Sequence, residues 1–201
     1  MTKRNLPPNL WIGPYSGQTV VYSAHVMESV VDVDLIRRAR SGDAGAFTAL
    51  LRPMVPSAYR LAGAMLHDPQ AAEDVVQEAS LKAWRKLHQV RPGAEVKPWF
   101  LGIVANECRE VRRGRWWSVL KQPDPQLPAT PVIDSAAAAL ADLRRAIRRL
   151  SHRRRLLLVL HWYLDLPVAE VATITGSSED AVKSELSRAV GQLRNLLGDG
   201  N

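Results

Sequence analysis

The chain of 201 residues is 46% hydrophobic and carries a formal net charge of +7, enough apolar content for one large core or two small ones, with a basic balance that favours DNA, RNA or an anionic membrane surface as partner. Its one cysteine, Cys108, excludes an internal disulfide, and its five histidines lack zinc-ligand spacing; no metal or cofactor is expected, and a reducing cytoplasm is the expected compartment. No segment approaches bilayer-spanning length, which argues against membrane insertion.

Residues 1–32 show no sustained period and are punctuated by Pro7, Pro8, Asn9, Gly13 and Pro14. They read as a flexible arm, and the same breakers interrupt the apolar run a signal peptide would need after Lys3 and Arg4. Met27, just ahead of the first helical pattern, is an alternative start to Met1.

From Val33 to about Arg113 the chain reads as helices with short breaks. In "HDPQAAEDVVQEASLKAWRKL", Asp68 suits an N-cap and Pro69 the first helical position, while Ala72, Val75, Val76, Ala79, Ala83, Trp84 and Leu87 form an apolar stripe. Glu73, Asp74 and Glu78 lie early and Lys82, Arg85 and Lys86 late, complementing the helix dipole. "HQVRPGAEVKP" breaks the pattern. In "WFLGIVANECREVRRGRWW", Phe100, Val104 and Val111 share one side of a helix, with Trp99 and Phe100 read as core. Arg109, Arg112 and Arg113 gather near its end, where they suit phosphates; Trp116 and Trp117 suit either stacking on unpaired bases or packing at the start of a linker.

Four prolines between Gly114 and Asp134 give a semi-extended linker. Beyond it Ala136, Leu140, Leu143, Ile147 and Leu150 keep helical spacing, and three further helices reach about Leu197. No β-alternation competes. The expected fold is all-α, with two small helical domains at 33–114 and 135–198 joined by a flexible Pro-rich linker at 115–134.

"LPVAEVATITGSSEDAVKSELSRAV" places Ala172, Gly176 and Val182 where a helix-turn-helix needs a small contact residue, a turn glycine and an apolar anchor. Ser177 and Asp180 suggest a capping box for the second helix. With Val182, Leu186, Ala189 and Leu193 turned inward, Ser178, Glu179, Lys183, Ser184 and Arg188 face DNA. The cluster Arg144, Arg145, Arg148, Arg149, Arg153, Arg154 and Arg155 suits phosphate or protein contact.

Two segments in order, "AEDVVQEASLKAW" and "VKPWFLGIVANECREVRR", resemble the core-polymerase-binding helix and the following promoter-melting helix of bacterial extracytoplasmic-function sigma factors. "LSHRRRLLLVLHWYLDLPVAEVATITGSSEDAVKSELSRAVGQLRNLL" resembles their −35-binding domain. The resemblance covers about Asp34 to Leu197 apart from the linker. It implies that the first domain, region 2, docks on the clamp of the largest polymerase subunit through the helix bearing Glu73, Asp74, Gln77 and Glu78. A loop from His88 through Arg91 to Lys97 would hold a flipped −10 base, with Asn106, Arg109, Arg112 and Arg113 along the opening strand. The second domain, region 4, would read the −35 element and meet the flap of the second subunit, and an anti-sigma factor is an expected partner.

The sequence departs from the family at Glu185, usually basic, at Ala181, usually a hydroxyl residue, and at Pro167 in place of a serine cap. The first two imply weaker phosphate contact or an unusual −35 sequence, whereas proline is tolerated at the first helical position. Two rivals remain: a stand-alone helix-turn-helix regulator binding duplex operators as a dimer, and an enzyme acting on nucleic acid. The first has no need of the helix around Asp74. The second would rest on Glu107 and Glu110 alone, since the sequence offers no P-loop, metal cluster or nucleophile–base pair, and no catalytic residue is expected.

Overall fold

A computed structural model describes residues 33–90, 95–119 and 135–198, with side chains outside 115–141. The N-terminal arm, the linker from 120, Arg91, and the side chains of Trp116 and Trp117 lie outside the described residues. What is described is helical, and among these residues there is no strand.

Helices α1 (Val33–Arg40), α2 (Ala44–Leu51), α3 (Val55–Leu66), α4 (Pro69–Lys86) and α5 (Val96–Val119) make the first body. Asp43 starts α2 by accepting from the Ala46 amide at 3.0 Å, and Asp68 starts α4 in the same way from Ala71 at 3.1 Å. Between α3 and α4 the chain reverses at His67, whose φ of 55° ends the earlier helix. The predicted stripe of α4 is inside: Ala72, Val75, Val76, Ala79, Ala83 and Leu87 are buried, and Trp84 packs edge-on to Phe47 with ring centroids 4.9 Å apart. Phe47, Leu61, Met65, Phe100, Leu101 and Val104 are fully buried around it, each contributing about 1.5–3 kcal/mol of hydrophobic stabilisation.

Helix α5 runs five residues beyond the expected boundary at 114, through Trp116 and Trp117 to Val119. Nothing from Arg115 to Val119 removes an amide or fixes φ, and the next proline in the sequence is Pro123, so no breaker opposes this extension of the helix.

The second body comprises α6 (Ser135–Arg149), α7 (His152–Leu158), α8 (Val168–Thr175) and α9 (Glu179–Gly198), with a π-helical turn at Val159–Tyr163 after α7. Leu150, Leu157, Leu160, Val171, Val182, Leu186 and Ala189 are its core. Leu143, placed by its spacing on the inner stripe of α6, is 37% exposed, and Ala146 is the buried neighbour instead. Pro167 precedes α8 as its cap residue and offers no side-chain acceptor.

The two bodies touch. Helix α5 lies on α8 so closely that a Cβ on Gly102 would stand 3.4 Å from the Ile174 carbonyl oxygen. The Arg60 guanidinium on α3 donates to the Tyr163 carbonyl and sits 4.9 Å from the centroid of that ring. One continuous apolar cluster joins both bodies.

Candidate nucleic-acid interface

The buried stripe of α4 fixes which residues it can offer outward. Asp74 is exposed, with Glu73, Gln77 and Glu78 half-buried on the same side. Glu78 pairs with Lys82, whose Nζ also donates to Glu107 Oε2 at 2.6 Å. This bond ties α4 to α5 and holds the Lys82 ammonium above its usual range, the Glu107 contact being the main cause. Glu107 is therefore a strut between helices. Cys108, beside it, is buried and pushed up to about 12, so it is not a reactive thiolate.

His88 is exposed in the 3-10 turn Leu87–Gln89 that ends α4, and Lys97 is half-buried in the first turn of α5. Farther along α5, Asn106, Arg109, Arg112 and Arg113 are exposed. Arg109 donates to Asn106 at 2.9 Å and Arg113 pairs with Glu110 at 3.3 Å. Arg112 points across the seam between the bodies, its Nη1 3.2 Å from His152 Nδ1. Desolvation first, then Arg112, Arg155 and Arg109, lowers His152 to about 4; it is neutral at pH 7, leaving Nδ1 free to accept.

The turn between α8 and α9 has the geometry a helix-turn-helix requires. Gly176 adopts a left-handed φ of 61°, Ala172 is buried where the helices meet, and Val182 is fully buried as the anchor. The cap of α9 is Ser178, not Ser177: Ser178 Oγ accepts from the Ala181 amide at 3.3 Å, whereas Ser177 Oγ accepts from Arg153 at 3.1 Å. One helical position decides this, because Glu179 already has helical geometry and the cap must immediately precede it. Glu179, Lys183, Ser184 and Arg188 are exposed, as the pattern requires.

Glu185, which stands where the family usually has a basic residue, lies against α7: its Oε2 accepts from Arg154 Nε at 3.2 Å and its Oε1 from Arg188 Nη1 at 2.7 Å. Arg154 also donates to Gln192 at 2.8 Å. Nor is the arginine cluster one surface. Arg155 is buried and donates to the carbonyls of Ile147, Arg148 and Leu150, closing the end of α6; Arg153 and Arg154 brace the helix-turn-helix; Arg145 pairs with Asp142. The Arg188–Glu185 spacing was visible in sequence, but the partners of Arg153 and Arg154 lie 24 or more residues away, beyond any local pattern.

Comparison with known proteins agrees with this arrangement. The family model for sigma-70 region 2 matches residues 50–118 and that for sigma-70 region 4 matches residues 140–193. The ECF RNA polymerase sigma factor SigM of Mycobacterium tuberculosis (strain ATCC 25618 / H37Rv) is 31% identical over 170 residues, 83% of this chain and 85% of SigM. The RNA polymerase sigma factor SigV of Bacillus subtilis (strain 168) is 28% identical over 142 residues, 68% of this chain and 81% of its own. Among solved structures, the sigma factor RpoE in complex with the anti-sigma factor NepR from Bartonella quintana superposes with a TM-score of 0.61 at 26% identity, covering 77% of this chain and 98% of RpoE. CnrH in complex with the cytosolic domain of CnrY shares the fold, with a TM-score of 0.64 at 24% identity over 85% of this chain and 99% of the other. With both regions matched in order and SigM similar over most of its length, the chain belongs to the extracytoplasmic-function sigma factors of bacterial RNA polymerase.

Proposed function

We propose that this sigma factor docks on core polymerase through Glu73, Asp74, Gln77 and Glu78 of α4, captures unpaired −10 bases beside His88, Arg91 and Lys97 with Asn106, Arg109, Arg112 and Arg113 along the strand, and reads −35 duplex with α9. Domain limits of 33–114 and 135–198, with a short extension of α5, suit these roles. The observation that carries the reading is the two-sidedness of α9, whose apolar face is sealed against α7 and α8 while Lys183, Ser184 and Arg188 face outward beyond a left-handed glycine turn. Melting by capture of unpaired bases needs no nucleotide hydrolysis, which fits a role as a specificity factor and not as the catalyst.

Promoter elements centred about 25 base pairs apart lie roughly 85 Å apart on B-DNA, whereas a compact body of about 150 residues has a radius of gyration near 15 Å. The packed arrangement of α5 on α8 is therefore the unengaged one, and core polymerase must hold the two bodies apart for both elements to be read. An anti-sigma factor, such as the NepR bound by RpoE, would favour the packed arrangement. The described helices include none long and apolar enough to cross a membrane, and the factor would act where the polymerase is.

Run-off transcription with purified core and the full chain, followed by sequencing of the transcript starts, tests this directly. Starts sharing spaced −10 and −35 elements are expected. A chain that binds duplex operators as a dimer and never associates with core would instead be a stand-alone regulator.

A further inference from the structure

Between Glu179 and Arg188 the second helix of the helix-turn-helix carries five charged side chains, three of them acidic. Lys183 lies 3.7 Å from both Glu179 and Asp180, contacts made through exposed side chains and easily exchanged for phosphate. Glu185 is different. Its side chain is only 20% exposed and both its oxygens are used, one on Arg154 of α7 and one on Arg188 of its own helix.

We propose that Glu185 sets the strength and salt sensitivity of duplex binding, by pinning Arg188 through one carboxylate oxygen while the other, with Gln192, anchors Arg154 to α9. To turn Nη1 onto phosphate Arg188 must give up this bond, so its gain on DNA is offset by the loss of a well-placed ion pair, and the carboxylate left behind repels the backbone. Glu185 is thus a positioning residue that weakens contact without touching DNA. Its carboxyl is held below the usual carboxylate range by Arg188 first and Arg154 second, so the brake is charged at every physiological pH. This inference rests on the reading of α9 as the duplex-facing helix.

The test measures binding of the full chain to a fluorescein-labelled duplex of mixed sequence by anisotropy across a salt series, because non-specific binding reads phosphate contacts alone. Glu185→Gln keeps the shape and removes the charge. It should tighten binding roughly threefold to tenfold at low salt and steepen the slope of log K against log salt by about 0.9, the signature of one added phosphate contact. Arg188→Ala in the Glu185→Gln background should abolish both gains. A merely structural role for Glu185 would not steepen the slope.

An unchanged or weakened Glu185→Gln complex, or a gain that survives removal of Arg188, overturns the proposal. Lys183→Ala separates the two levels of the argument: if it weakens binding while Glu185→Gln does nothing, the brake is wrong and the helix assignment stands. If neither substitution matters, α9 is not the duplex-facing helix and the proposal falls with that reading.

Discussion

Gly102 lies at the seam where the helix assigned to −10 DNA rests on the first helix of the helix-turn-helix, and substitutions there separate two effects of opposite sign. Alanine replaces a mid-helix glycine, which favours the folded state by up to about 1 kcal/mol through helix propensity. Its Cβ would meet the Ile174 carbonyl oxygen at 3.4 Å, the near edge of ordinary van der Waals contact, so most of that gain survives. Leucine gains nearly as much propensity, but its added carbons must enter the space held by α8 backbone, and overpacking of this kind costs about 1–3 kcal/mol. Gly102→Ala should raise the melting temperature by about 2–4 °C. Gly102→Leu should lower it, or relieve the clash by parting the bodies, which small-angle scattering would register as a larger radius of gyration. If the leucine variant matched the alanine variant in both melting temperature and radius, α5 would not rest on α8 in solution and the seam would be refuted.

The seam also carries a pH dependence. His152, lowered to about 4 from an ordinary 6.5, contributes stability that is complete above pH 6.5 and lost as pH falls through 4, because the unfolded chain takes up the proton first. The full shift corresponds to about 3 kcal/mol, and partial access to water reduces this to about 1–2 kcal/mol; His152→Gln should make the melting-temperature profile between pH 6.5 and 4 shallower, the remaining slope coming from His67, which desolvation also lowers to about 4. Replacing Asp74 and Gln77 together by alanine should abolish co-purification with core polymerase and leave the helical circular dichroism unchanged; undiminished binding would remove α4 from the docking surface. Asp68→Ala deletes the cap of α4 and should cost about 1 kcal/mol in chemical denaturation.

Helix identity, the inner stripe of α4, the cap at Asp68 and the helix-turn-helix around Gly176 were legible in the sequence, because each is written in residues within a turn or two of one another: an acceptor before a proline, apolar residues at the helical period, glycine where φ is positive. The order of the motifs was enough to indicate the family. The roles within the run of arginines were not legible, for the opposite reason. Seven similar side chains have no local mark to tell a buried closure on the carbonyls of Ile147, Arg148 and Leu150, as with Arg155, from a brace at Arg154 or an exposed residue such as Arg149.

Local pattern therefore determined which segments become helices and which side of each is apolar, since both follow from backbone sterics and the water-avoiding period of the side chains. Tertiary structure alone decided what the charges do. Whether Arg188 is available to phosphate depends on a carboxylate that also holds α7, and whether Arg112 is available depends on a histidine forty residues away across the seam. Electrostatic partnership is set by distance in space, and the chain brings those distances about only after its apolar faces have packed.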